Sequence, residues 1–522
     1  MKVQHSNAFG NPTSAETQQE RTPGQVAQEL KQLAERFQNM LPEAVRTGKS
    51  FDEVERTVFQ CLLTMGLEAM QLFVGLQGDG DVGPQIVTEQ GQTLRRSAET
   101  ARTRIRSIFG EHSFREYTYS PGRNKRIELR GVSTRMQLPA TGWSYLLEEF
   151  SQMFCVDQAF NQAADNLAAV FGGEFSVQTL EHTNQRLGKQ ADTFLDNLPT
   201  PQPKSEGELM VASADGKGVP LVKADAGKVA AFETSKKRPG NRRMATVASV
   251  YTVDPHQRSA EDVVAALFRD EQPQPEAAPP KRPQPQNKNT TAHFPTSEQD
   301  GDAEIPISGI HEAMAWMSDQ VDARRQPQQT LIVHMDGQVS LWDTAQLYFG
   351  AKMVEVLDFL HVSLYVWQAA ALFSEAHDQR EKFTRQRLLK LLRGEVASVI
   401  RGLRRLGSLH KLKGQKRKDL LRICGYFENN KERMRYAEYL QAGYPIATGV
   451  IEGACRHLVK DRMERTGMRW TLEGARSMLN LRAAFQSDHW KTFNQQRIQT
   501  LSNSAHPHRN LIHNYQPLNL AI

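Results

Sequence analysis

Residues 209–215 read LMVASAD and residues 330–336 read TLIVHMD. Each is an apolar, β-prone run that stops at an acid followed by glycine. Charge at the end of a buried strand is costly unless a partner or a cation neutralises it. Strand ends are also where α/β sheets build their sites. The two runs therefore predict strands of one sheet that deliver Asp215 and Asp336 to a shared place. Asp-Gly is equally a common turn dipeptide, so either run taken alone also describes a hairpin turn.

A third acid lies in residues 449–463, GVIEGACRHLVKDRM. Helical spacing puts Glu452 on the stripe of Cys455, Val459 and Met463, so the expectation is a carboxylate on the core side of a helix. It also falls in the first turn after Thr448 and Gly449, where the helix dipole alone favours a negative charge. Three hard oxygen ligands without a Cys/His cluster point to Mg²⁺ or Mn²⁺ over zinc. A pair of such ions is what phosphodiester cutting and joining requires.

Outward from these acids the order of elements is strand, strand, strand, helix, helix, strand, then a short strand or helix. The expected strands are LMVASAD, KVAAF (228–232) and MATVASVYTVD (244–254), then TLIVHMD. SAEDVVAALFRD (259–270) and IHEAMAWMSDQVDAR (310–324) carry helical periodicity. Residues 270–300 are Pro/Gln-rich and read as a flexible insert. VEVLDFLH (354–361) precedes a helical region that runs to about Leu440. The whole fits an α/β protein with a mixed sheet of ribonuclease H type. The core would span 205–361 and 446–500, interrupted by an all-α insertion at 362–445, with a polar tail at 501–522.

Upstream, residues 1–24 read as disordered and 25–200 as a mainly helical, DNA-binding region, closed by the Pro-rich link LPTPQPKSEG (198–207). A capping box, Ser50 with Glu53, opens one helix. Residues 113–131, SFREYTYSPGRNKRIELRG, predict a β-hairpin about a Pro-Gly turn. The segments 158–172 and 176–188 have the form of a helix-turn-helix, although a plain αα-hairpin fits as well. Its second helix carries only Arg186 and Lys189 as cations, which is sparse for groove reading.

The chain has 522 residues, 39% of them apolar and 24% charged, with net charge +6. That length suits about three domains. From Asp378 to Leu440 there are 18 Lys/Arg against 7 Asp/Glu. Such a surface suits a phosphate backbone, or it is a solvated helical face. The loop SKKRPGNRRM (235–244) is placed to hold DNA through Lys236, Lys237, Arg238, Arg242 and Arg243. Four scattered cysteines form no CxxC pair, so reduced thiols of a cytoplasmic protein are expected. The stretch VLDFLHVSLYVWQAAALF is too short and too polar for a membrane span.

The blocks ADGKGVP (214–220), MDGQVSLWDTA (335–345), VEVLDFLHV (354–362) and GVIEGACRHLVKDRMERTGMRWT (449–471) resemble the bacterial insertion-sequence transposases of the Kra type, relatives of the Mutator-like transposases. The likeness runs from about Leu209 to about Ala484. It implies a ribonuclease H-like fold, an α-helical insertion before the Glu, and a DDE triad on Asp215, Asp336 and Glu452. An Asp-x-x-His element falls on Asp358 and His361, where His361 would brace the metal site or contact DNA, or else be a satisfied core histidine. Arg462, Arg469 and Trp470 match the third block. Arginine can clamp phosphates. Trp470 can stack on an unpaired base or serve as a core aromatic. Relatives often carry Cys-rich spacing in the N-terminal hairpin; SPGRNKRIEL has none, so no zinc site is expected there. The resemblance further implies double-stranded DNA as partner and substrate, as transposon ends and as target. It also implies a homodimer or larger synaptic assembly, and a nucleoid-associated place in a bacterium. Two alternatives stay open: a ribonuclease H-like nuclease or resolvase that cuts without joining, and a non-catalytic DNA-binding derivative.

Overall fold

The computed structural model describes residues 21–230, 240–270, 282–300, 303–465 and 467–519. The chain divides into two compact units: Asn184–Trp490, and a second assembled from Met1–Thr183 with Lys491–Ile522.

The first of these is α/β with a mixed five-stranded sheet. Its strands are β1 (Leu209–Pro220), β2 (Arg242–Val253), β3 (Gln286–His293), β4 (Thr330–Met335) and β5 (Met353–Leu357), in the spatial order β5-β4-β1-β2-β3. β1, β2 and β3 pair antiparallel. β4 pairs parallel with β1, and β5 parallel with β4. Alternation sorts the side chains. Leu209, Val211, Ile332 and Val356 face one core; Met210, Ala212, Ala214, Leu331, Val333 and Met335 face another.

Helices cover both faces. α1 (Lys223–Ala230) and α2 (Ala260–Phe268) follow β1 and β2; α3 (Gly309–Arg324) and α4 (Val339–Phe349) flank β4. Trp316 and Met317 of α3 and Leu341 and Trp342 of α4 fill the second core. The first core is closed by α5 (Phe359–Phe373), α6 (His377–Leu392), α7 (Val396–Leu409), α8 (Gly414–Asn430) and α9 (Tyr436–Gln441). This all-helical run occupies the stretch expected for the insertion. The chain then enters α10 (Gly449–Ala454), continues through a π-helical turn (Cys455–Lys460) and a last turn (Asp461–Met463), and returns through α11 (Leu472–Gln486). A buried ion pair, Arg324 to Glu206 at 3.0 Å, ties α3 to the entry of β1.

Several expectations need correction. β1 does not stop at Asp215 but runs on to Pro220, because β2 pairs along its whole length. KVAAF is not a strand: residues 223–230 are helical, led by Asp225 in the first turn, and 231–232 lie outside the described residues. The supposedly flexible 270–300 contains β3. Its NTTA segment (289–292) holds the β-branched Thr290 and Thr291, and its side chains are buried, with Asn289 bonded to Gln320. Residues 271–281 lie outside the described residues.

In the other unit, the start at 1–24 is shorter than expected. A helix begins at Pro23 behind a Thr22/Gln25 capping box, and residues 1–20 lie outside the described residues. The Ser50/Glu53 box opens a second helix, Phe51–Gly75. That helix, not the stretch near residue 360, is long and apolar enough by composition to cross a membrane. The Pro-Gly turn does join short paired strands, Thr118–Ser120 and Leu129–Arg130. Unforeseen is a longer ribbon, Ala101–Ser107 against Gly110–Glu116. The tail is not loose either, since Ile512 is buried, and residues 491–500, expected in the core, belong to this unit, where Arg497 forms an ion pair with Glu148 at 2.8 Å, both fully buried.

Candidate active site

Parallel pairing aligns three acids. Ala214, Met335 and Leu357 are register partners across β1, β4 and β5. The next residue of each chain is an aspartate: Asp215, Asp336 and Asp358. Neighbouring strands lie about 4.8 Å apart, so the three stand in a row at one end of the sheet. Alternation puts all three on the face of Val211, Ile332 and Val356, beneath the helical insertion. Cys455, one turn beyond Glu452, approaches the same row: its Sγ donates to Asp215 Oδ2 at 3.5 Å. The fourth acid thus reaches the row from α10.

The acids are not equivalent. Asp358 caps α5 and is fully buried. Its Oδ1 accepts from the backbone N–H groups of Leu360 and Thr448 (3.3 and 2.9 Å), and its Oδ2 from His361 N (3.0 Å) and His361 Nδ1 (2.7 Å). Burial works against this charge, but the bonds from His361 and Thr448 hold the carboxyl below its ordinary range. Four donors use the capacity of one carboxylate. By contrast, Asp336 Oδ1 accepts from Gln338 N at 2.9 Å, and among the described residues no other donor reaches that carboxylate. Partial burial, with the charges of Asp215 and Asp358, pushes Asp336 up. Burial and the charges of Asp358 and Asp215 do the same to Glu452.

His361 sits among these acids. Its bond to Asp358, then the charges of Asp358, Asp336 and Asp215, raise its imidazole from 6.5 to about 9. With the acids unneutralised, that bond and those charges favour the protonated ring.

Among the described residues, the set whose ligand atoms lie within 4.8 Å of one another is Asp358, His361 and Glu452. Asp215 and Asp336 fall outside that spacing, which differs from the expected triad. Chemistry argues against the closer set as a cation site. Its Asp358 is saturated with hydrogen bonds, which leaves that carboxylate no lone pair for a cation. The carboxylates with open capacity are Asp215, Asp336 and Glu452.

Glu452 corrects another expectation. It is exposed, while Cys455, Val459 and Met463 are buried. Position 452 lies on the open rim of the helix's first turn, offset by 60° from Cys455 at about 100° per residue. Such π-helical segments cluster at functional sites.

The remaining candidates divide. Trp470 is 7% exposed; its backbone bridges Leu221, and its Nε1 donates to Met463 O at 3.2 Å. Arg462 is completely buried, with its guanidinium 4.8 Å from the Trp470 ring. Neither side chain can stack on a base or clamp a phosphate from there. Arg243 is buried as well and donates to Ala226 O. Arg242 is exposed but pairs with Glu464 at 2.7 Å, and Arg469 is exposed. Lys236, Lys237 and Arg238 lie outside the described residues.

Sequence reasoning missed three neighbours of the site. His334 is buried, 3.9 Å from Asp358 Oδ1. Cys455 touches Asp215. Tyr426 of α8 closes over Gly337, where an added Cβ would lie 2.2 Å from its Cε2. Two of them left a trace: the even position of His334 in β4 shares the face of Asp336, and Cys455 lies on the helical stripe drawn through Glu452.

The class these observations define is an α/β protein with acids gathered at the ends of adjacent parallel strands. A scan against protein-family models found no match, and a search of curated proteins found none either.

Proposed function

We propose that this chain is a DDE-type DNA transposase with a ribonuclease H-like core, acting through Asp215, Asp336 and Glu452. The observation that carries the reading is the row of aspartates on one sheet face with a glutamate helix above it. The mixed sheet and the helical insertion before Glu452 support the same reading.

The residues fit a pair of Mg²⁺ or Mn²⁺ ions. The open donors are all carboxylate oxygens, the choice of hard cations. Their crowding raises Asp336 and Glu452, a strain that bound cations relieve. Such ions, when bound, activate the attacking hydroxyl and steady the leaving oxygen. Asp215 and Asp336 would hold them from the rigid strand ends, and Glu452 from the rim. Asp358 orients His361 and, through Thr448 N, the start of the Glu452 helix. His361 then offers a positive donor to a scissile phosphate entering the row.

On this reading the substrate is duplex DNA: the ends of an insertion sequence, and a target to which freed 3′-hydroxyls are joined. Two ends must be held together, so the working form is a homodimer or larger assembly, within the bacterial cytoplasm.

The test is cleavage and joining of a labelled duplex bearing the repeats that flank the gene, with Mg²⁺ or with EDTA. Wild type should cut and join only with Mg²⁺. Glu452→Gln, Asp215→Ala and Asp336→Ala should each lose about 10²–10³-fold in rate, the order expected when charge stabilisation is removed, while retaining duplex binding. Cutting without joining would favour a nuclease. Strand transfer by Asp336→Ala would sink the triad.

A further inference from the structure

The unit formed by Met1–Thr183 and Lys491–Ile522 carries a basic surface that the active site does not use. Residues 95–135 hold 11 Lys/Arg against 4 Asp/Glu. The ribbon Ala101–Ser107/Gly110–Glu116 concentrates them. Its register pairs Arg102 with Arg115, Arg104 with Ser113 and Arg106 with Glu111. In an antiparallel pair, partners share a face. One face therefore bears Arg102, Arg104, Arg106 and Arg115 against a single acid, Glu111.

The opposite face explains why this one points outward. Ile105 and Phe114 are buried with Val74 and Val132. His112 and Glu116 are also inside, with Glu116 accepting from Thr103 Oγ1 (2.6 Å) and Ser133 N (2.7 Å). The ribbon cannot turn over without burying guanidinium groups.

The arginines differ in their freedom. Arg106 belongs to the scaffold: its guanidinium lies 4.1 Å over the Phe175 ring and donates to Glu174 O. Arg115 is braced by Thr100. Arg102 donates to Ser113 Oγ at 3.2 Å. Arg104 approaches Glu111 only to 3.9 Å, with both side chains more than 60% exposed. Exposed pairs of that kind hold weakly, so Arg102 and Arg104 can turn to an incoming anion at little cost.

We propose that this arginine face docks on the phosphate backbone of duplex DNA, with Arg102 and Arg104 as its principal contacts. The proposal rests on the reading of the chain as one that acts on DNA. Geometry favours a duplex. A two-stranded ribbon is what a major groove admits. Alternate strand residues advance about 6.7 Å, twice the roughly 3.4 Å rise per phosphate along one strand. Every cation on the face is arginine, whose planar fork matches phosphate oxygens. The helix-turn-helix candidate offers less: Arg186 and Lys189 are the cations of its second helix, against four arginines on one face of the ribbon.

The test uses the full chain in EDTA, binding a fluorescent 30-base-pair duplex across a salt series. Each lost phosphate contact lowers the slope of log K against log salt by about 0.9. Arg102→Ala/Arg104→Ala should therefore lower it by roughly 1.8, and Arg102→Lys/Arg104→Lys should restore most of that. An unchanged slope in the alanine pair overturns the proposal, as does a lysine pair that fails equally. So does a result in which the alanine pair keeps its duplex binding but loses binding to double-stranded RNA or to anionic vesicles. Cleavage with Mg²⁺ separates the two ideas. Slope loss without any cleavage by wild type supports the ribbon and removes strand transfer; cleavage with an unchanged slope does the reverse.

Discussion

At Asp358 one carboxylate meets four donors, and this decides its role. It pins three things together: the start of α5, His361, and Thr448 at the head of the Glu452 helix. Asp358→Asn replaces one acceptor oxygen with an amide, which faces either Thr448 N or His361 as donor against donor. An unsatisfied buried group costs about 1–3 kcal/mol. The expected outcome is a drop of one to two orders of magnitude in cleavage kcat with the Kd for duplex unchanged. Single-turnover cleavage beside a binding titration checks it; a variant with wild-type kcat would show that Asp358 is only a cap. Much of this was legible from residues. Period-2 parity alone sets Asp215 with Val211, Asp336 with Ile332, and Asp358 with Val356. The position of Glu452 was not, because an ideal helical stripe takes no account of where the helix meets the strand ends. Nor were Arg462 and Trp470, since burial of a cation beside an indole depends on a bridge to Leu221 that lies about 250 residues away in sequence.

Elements were most legible where their periodicity was strong and their partner near. β4, α3 and the α5–α8 run announce themselves by apolar spacing. β3 does not, because its side chains Asn289, Thr290 and Thr291 are polar and buried against polar partners: Thr290 N donates to Ser487 Oγ at 3.0 Å. KVAAF misled because four apolar residues fit a strand or a helix equally. The contact between insertion and sheet was likewise hidden. Gly337, after Asp336, reads as a turn glycine or as room for a ligand. In the structure it makes room for Tyr426 of α8, whose ring also stacks on Tyr365 with centroids 4.0 Å apart. The Asp336 turn is therefore seated on the insertion. Gly337→Ala should force ring and turn apart, with a cost of about 1–3 kcal/mol typical of overpacking. Thermal melts and cleavage rates should both fall, and Gly337→Ala/Tyr426→Ala should recover part of the loss relative to the sum of the single changes. Strict additivity in that double-mutant cycle would mean that the two residues do not meet.

For the whole molecule, the chain's path matters more than any one contact. Residues 491–519 return to the unit built from Met1–Thr183 and complete its interior. Phe493 and Ile512 are buried there. Tyr515 Oη donates to Gln77 O at 2.6 Å and accepts from Gly80 N at 3.1 Å, and Leu518 N donates to Leu76 O at 2.9 Å. By sequence, 491–500 read as core and only 501–522 as a polar tail, because the fixed points of this stretch are few and widely spaced, and their partners lie more than 300 residues upstream. The α/β unit therefore sits within the sequence of the other unit, which must form from both ends of the chain. Removing residues 491–522 would leave Glu148 buried without Arg497. Breaking a buried pair costs roughly 3–5 kcal/mol, and the lost burial of Phe493 adds to it. For a unit of this size such a loss lowers the melting midpoint by roughly 10 °C or more. Calorimetry of the truncated chain should show that shift in one transition, while the transition of Asn184–Trp490 stays in place. Arg497→Met, which keeps the rest of the segment, should reproduce part of the shift in the same transition. If truncation leaves both transitions where they were, the segment is an attachment to its unit and no part of its interior.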